Sequence, residues 1–250
     1  MRRVITLLTD FGTADGYVGE MKGVLLSLAP DAVVVDITHD ISPQDIDHAR
    51  LTLARVWRRF PKDTVHVVVV DPGVGSVRAA LAVSSDGRFL VGPDNGVLSP
   101  ALLIAGVRAV ELALPPGASA TFHGRDVFAP TAAAIARGEP LEALGADAMR
   151  PVLRRTPEPM RRADGALEGE VILIDRFGNA VTNLVAPRGG TVEVANRQIH
   201  VRRTYAEVAT EMPVAVVGSS GLIEVAVRDG NASRTLGLER GSRVVLRTSS

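Results

Sequence analysis

The sequence contains no cysteine. That removes disulfides, thiolate metal ligands and cysteine nucleophiles together, and it fits a reducing cytoplasm. Net charge is also missing, since 28 Lys and Arg balance 28 Asp and Glu. No basic cluster is interleaved with the sparse aromatics, which are 4% of residues, so nucleic acid is not an expected partner. The pairs Arg154-Arg155 and Arg161-Arg162 flank a proline-rich stretch and read as solvated linker. No run approaches the roughly 18 apolar residues that a membrane span needs. Val4–Leu8, just ahead of Thr9-Asp10, is too short for the core of an export signal. A cytoplasmic protein without a membrane partner is the expectation. There is no internal repeat or low-complexity block, which excludes solenoids. Absent too are the GxSxG elbow, the P-loop and the GxGxxG fingerprint, the marks of serine hydrolases, P-loop NTPases and Rossmann dehydrogenases.

What is present is a chain of 250 residues, 46% hydrophobic, with ample material for a core. The first part alternates strand and helix. Val4–Leu8 reads as a buried strand, 16–28 as a helix with Met21, Val24, Leu25 and Leu28 on one face, and Val33–Ile37 as a second strand. Ser42-Pro43-Gln44-Asp45 announces the next helix, with Ser42 at the N-cap and Pro43 at the first helical position. Ile46, Ala49, Leu53 and Trp57 give that helix its apolar stripe. The β-branched run Val67–Val70 then suits a central strand covered on both faces. Such alternation implies a largely parallel sheet. Asp86-Gly87 marks a hairpin, 97–106 a further helix, 109–112 a strand and 127–137 an alanine-rich helix. Beyond about residue 160 the pattern changes to short strands separated by Gly, Asn, Asp and Pro, as in a small barrel or sandwich. The expected fold class is α/β: an N-terminal α/β domain over 1–158, a linker at 159–167 and a C-terminal all-β, barrel-like domain over 168–250.

Parallel sheets bind ligands beyond the carboxyl ends of their strands. Four acidic clusters fall there: Asp10/Asp15, Asp36/Asp40, Asp71, and Asp94 with Asn95. Three readings of them stand side by side: helix caps, ligands of a divalent ion, and a bidentate acceptor for the two hydroxyls of a ribose. Neither a DxDxDG loop nor an HExxH helix supports the metal. Arg78 lies seven residues beyond Asp71, across a Pro-Gly turn that lets the loop fold back to face it. Among the histidines, His48 and His66 fall inside element patterns, whereas His123 sits in a loop with Gly124, Arg125 and Asp126, where reactive groups concentrate.

Taken in order, LTDFGTADGYVGEMKG, DITHDISPQDI, VVDPGVGSVR, GPDNGVLSP, TFHGRDVFAP, IDRFGNAVTN and GSSGLIEVAVRDGNAS resemble the S-adenosyl-L-methionine hydrolases that form adenosine, relatives of the fluorinases and chlorinases. The resemblance runs from about Val4 to Leu246. It implies displacement by water at the ribose 5′ carbon with methionine leaving, and no cofactor or metal. It also implies a homotrimer whose sites lie between one subunit's N-terminal domain and its neighbour's C-terminal domain. Asp71, Arg78 and His123 match the hydrolases' catalytic set. By the same resemblance Asp10 grips the ribose hydroxyls, and Asp175, Phe177 and Asn179 form a turn that holds the methionine amino group and the adenine. Ser219 lies by the amino-acid end, and Asn231 and Ala232 read the adenine edge. At Asp71, His123 and Gly124 the sequence departs from the halide-binding pattern, which implies water as nucleophile. It departs from the fluorinase also at Gln44, where that enzyme has a tryptophan, and at Ser220, where it has an arginine.

Overall fold

The computed structural model describes residues 3–185 and 189–248, and the chain divides into two compact units, 1–154 and 155–250. The first unit is built on a seven-stranded sheet. Its strands are β1 (Val4–Thr9), β2 (Val33–Thr38), β3 (Val65–Val69), β4 (Ala80–Ser85), β5 (Arg88–Pro93), β6 (Arg108–Leu112) and β7 (Gly145–Asp147), in the order β2-β1-β3-β5-β4-β6-β7. The first four strands in that order run parallel; β4, β6 and β7 extend the sheet antiparallel. The strand period of two explains the two-sided burial. Val65, Val67 and Val69 pack on one face with Met21 and Leu25 of α1 (Tyr17–Leu28) and Ala132 and Ala133 of α4 (Ala129–Arg137). Val68 and Val70 pack on the other with Ala49 and Leu53 of α2 (Ile46–Val56), Trp57, and Leu102 of the short α3 (Ser99–Leu102).

Two expectations are corrected. The cap of α2 is Asp45, whose carboxylate accepts from the His48 N–H at 2.9 Å. Ser42 instead closes a turn through its carbonyl to the Asp45 N–H, because Gln44 takes a left-handed φ of 66° that delays the helix. The helix expected over 97–106 contracts to one turn, since the chain folds back through tight turns at Ile104 and Val107 to a left-handed Gly106. The Asp86-Gly87 hairpin forms as expected, with φ of 45° and 67° at those residues.

The second unit contains β8 (Met160–Arg161), β9 (Leu167–Ile174), β10 (Ala180–Val185), β11 (Thr191–Val194), β12 (Arg197–Arg202), β13 (Pro213–Val217), β14 (Leu222–Val227), α5 (Ala232–Leu236) and β15 (Arg243–Arg247). Seven strands run β10-β14-β13-β12-β11-β15-β9, and β9 pairs back onto β10 to close a barrel. Closure removes the exposed edges of an open sheet. Val171, Ala180, Val192, Val225, Val244 and Leu246 fill the interior. β8 pairs onto β9, so the stretch 159–167 carries a strand.

Candidate active site

The strand order reverses beside β1, which lies between β2 and β3. Asp10 follows β1 and Asp71 follows β3 by two residues, so both carboxylates stand at the switch point where parallel sheets bind ligands. They line one cavity of about 410 Å³ together with Tyr17, Gln44, Phe122 and His123. The volume is that of a small-molecule site.

Asp71 and Arg78 form a two-pronged pair: Nε donates to Oδ1 at 2.9 Å, and Nη2 donates to Oδ2. Their side chains are 5% and 9% exposed, and a fork-to-carboxylate pair shielded this way is held firmly in direction. The same Nη2 lies 2.7 Å from His123 Nδ1. A guanidinium has only donors, so Nδ1 accepts and a neutral ring carries its proton on Nε2. Phe128 supports the group, with Arg78 5.6 Å over its ring and His123 edge-on to it at 6.5 Å. His123 is 3% exposed. Burial lowers its pKa below 6.5 and the Arg78 charge lowers it further, against the opposing pull of Asp71 and Asp126. The imidazole is therefore kept neutral near pH 7.

Local folding explains the convergence. Gly75 has a φ of 76°, and a Cβ there would run into the Ala120 carbonyl; the 71–78 loop can thus press on the loop that carries His123. That second loop is tied down by Asp126, which accepts from the Ser119 N–H at 2.9 Å and from Arg125 Nε at 2.6 Å. Arg125 in turn reaches Glu20 on α1 at 2.8 Å. Behind His123 the chain makes one π-helical turn over 124–128 before α4, a distortion often found at functional sites. Asp10 accepts from the backbone N–H of Gln44 at 2.7 Å.

The remaining candidates lie in the second unit. Asp175 Oδ1 accepts from the N–H groups of Phe177 and Asn179, both at 2.9 Å, and Oδ2 from Asn179 Nδ2 at 3.0 Å. Phe177 at the tip is 75% exposed. Gly178, with a φ of 83°, lies so close to the Asn231 side chain that any Cβ would collide with it. Asn231 also caps α5, and Ala232 is buried. Ser219 is in the β13–β14 turn closed by Gly218 and Leu222.

Sequence reading missed several residues. Phe128 gave no signal beyond an apolar helix position. Glu224 is 6% exposed and accepts from the Tyr205 hydroxyl at 3.1 Å, so burial and that carboxylate push the Tyr205 pKa up to about 12. A lone Glu in a strand gave no hint of this. The cap reading of the acids is not realised at Asp15: α1 starts from Gly16 with no side-chain cap. Asp94 instead ties down a later segment through the Val152 N–H at 2.7 Å. Among the described residues, no group of three or more His, Cys, Asp or Glu is arranged to hold a metal ion. Nor, among them, is any helix long and apolar enough to cross a membrane.

An α/β unit that sets a carboxylate and an imidazole in the wall of one cavity, joined to each other by a guanidinium and followed by a closed β-barrel, defines the class of protein. The family model for the SAM hydroxide adenosyltransferase N-terminal domain matches residues 5–145, and that for the C-terminal domain matches 169–245. The chain belongs to the SAM hydroxide adenosyltransferase family. It is 44% identical to the (R)-S-adenosyl-L-methionine hydrolase of Thermus thermophilus, over 98% of this chain and 99% of that one. It is 41% identical to the enzyme of the same name from Salinispora tropica, over 96% of each. A fluorinase from Nocardia brasiliensis is more distant, at 29% over 73% of this chain and 71% of that one. The crystal structure of an uncharacterized conserved protein from Thermotoga maritima superposes with a TM-score of 0.88 at 32% identity, covering 97% of this chain and 99% of that one.

Proposed function

We propose that this protein hydrolyses S-adenosyl-L-methionine to adenosine and L-methionine, with the (R)-sulfonium epimer as its preferred substrate. The observation that carries the reading is the Arg78 fork joining Asp71 and His123 beside one cavity; the names of the full-length relatives support the substrate and its epimer.

Water attacks the ribose C5′ in line with the C5′–S bond. That bond breaks, its electron pair stays on sulfur, and methionine leaves as a neutral thioether. Water is a weak nucleophile, so it must be held about 3 Å from the carbon and give up a proton. Asp71 takes that proton. His123, its Nδ1 engaged by Arg78, offers an Nε2–H that orients the water oxygen. Arg78 stays charged and stabilises the hydroxide as it forms. Asp10 accepts hydrogen bonds from the ribose hydroxyls. Asp175, Phe177, Asn179, Ser219, Asn231 and Ala232 hold the methionine and adenine ends, reaching the cavity of a neighbouring subunit in a homotrimer. Neutral methionine is a good leaving group, so the chemistry calls for no metal or other cofactor, and turnover should survive a chelator. A cytoplasmic location completes the proposal.

The test is incubation with a mixture of both sulfonium epimers in ¹⁸O-labelled water. Label at the adenosine 5′ oxygen, with faster loss of the (R) epimer, is expected. Unlabelled adenosine, or a 5′-chloro product when chloride is supplied, would overturn hydrolysis; equal loss of both epimers would overturn the stereochemical preference.

A further inference from the structure

Seven non-glycine residues among those described have a left-handed φ, and of these Gln44 lines the cavity. Left-handed backbone is unfavourable for a side chain of this kind. Such strain persists only where the surroundings over-determine it, and it concentrates at ligand clamps. Here both flanks are anchored. Ile41, three residues before, is 3% exposed within the core. Asp45, directly after, caps α2 through the His48 N–H and closes back on the Ser42 carbonyl at 3.0 Å. The consequence is a backbone N–H aimed across 34 positions of sequence at Asp10 Oδ2, 2.7 Å away.

We infer that Gln44 is a positioning residue for ribose recognition: its strained backbone holds one oxygen of Asp10 so that the carboxylate faces the cavity ready to accept from the substrate's hydroxyls. The inference rests on the activity proposed above and extends it to a residue whose backbone does the work. A carboxylate fixed by a charge-assisted hydrogen bond loses less freedom when it binds, and a site built around hydroxyl donors discriminates against a ligand that lacks one. The geometry therefore governs binding and selectivity for the ribose diol, while the displacement at C5′ is left to Asp71, Arg78 and His123.

The experiment compares wild type, Gln44→Gly and Gln44→Val in calorimetric binding of adenosine and 2′-deoxyadenosine, alongside steady-state kinetics. Glycine adopts the left-handed conformation without strain and keeps the N–H; valine resists it. Gln44→Gly should keep the wild-type ratio of the two affinities within about two-fold. Gln44→Val should reduce that ratio about ten-fold and raise KM to match, with kcat within two-fold for both. Should Gln44→Val fail to fold, Gln44→Thr, β-branched as well, carries the same expectation at about three-fold, while Gln44→Ala, which adds no strain beyond that of glutamine, should keep the wild-type ratio. An unchanged ratio in the strained variant overturns the inference, as does an equal loss in Gln44→Gly, which would move the effect to the side chain. If wild type neither binds adenosine nor turns over S-adenosylmethionine, the activity reading fails first and this inference falls with it.

Discussion

Arg78 shows how much one side chain decides here. Its planar fork satisfies both Asp71 oxygens and still donates to His123, a geometry that a lysine ammonium cannot reproduce. Arg78→Lys should therefore lower kcat by about 10²-fold or more while KM stays within a few-fold, the signature of an interaction made in the transition state. Steady-state kinetics with an assay for adenosine would check it; a proportional rise in KM would contradict the assignment. The same contact sets a pH dependence. Protonating His123 requires its Nδ1 to give up the Arg78 hydrogen bond, and burial together with the Arg78 charge holds its pKa below 6.5. Activity should thus be flat through pH 7 and fall as pH drops below the ordinary imidazole range. An acid limb at or above pH 7 would mean that another group titrates.

Two elements bring these residues together, the β3 strand with its following loop and the loop before α4. On β3, His66 is fully buried and pairs through Nδ1 with Thr6 Oγ1 of β1 at 2.7 Å; burial lowers its pKa from 6.5 to about 4. The sign follows from proton uptake. The unfolded chain binds this proton more readily, so the contribution is fully present above pH 6.5, is lost as pH falls towards 4, and changes no further below that. The shift corresponds to about 3 kcal/mol. Urea unfolding at pH 7 and pH 4.5 should show that loss in wild type and a much smaller one in His66→Gln. In the loop after β3, Gly75→Ala meets both an unfavourable φ and the Ala120 carbonyl. A cost of about 1–3 kcal/mol and at least a ten-fold fall in kcat are expected, since the loop would draw back from the one that carries His123. Wild-type activity in that variant would show that the contact has no part in arranging the site.

For the whole molecule, the question is where the 175–179 turn, proposed to hold the substrate, does its work. Phe177 at its tip is a 75% exposed apolar ring, and the proposed homotrimer supplies a surface to cover it. Co-expression of Asp71→Ala with Asp175→Ala/Asn179→Ala, each nearly inactive alone, tests the arrangement. Random assembly in which each site draws one unit from each of two neighbours should restore about a quarter of wild-type activity. Activity no greater than that of the parents would place each site within a single chain.

Much of this was legible in the amino-acid order because the signals are local. The valine run of β3, the Asp-Gly hairpin and the shift from helical to strand spacing near residue 160 each arise from backbone preferences within a few residues. The family motifs likewise singled out Asp71, Arg78 and His123. What the order could not contain was contact across the chain: Arg78 meeting His123 across 45 positions, the Phe128 ring beneath both, and Gln44 pulled out of its helix to reach Asp10. Local preference put the α2 cap at Ser42, and the tertiary structure put it at Asp45 because the turn between them answers to the Asp10 carboxylate just beyond the end of β1. The sequence by itself determined the principal strands, an all-β second part and which residue types would meet at the sheet edge; closure of that part into a barrel came from the pairing of β9 with β10. Only the packed sheet decided which atoms face one another, because hydrogen-bond direction and proton position depend on neighbours that the chain brings together only on folding.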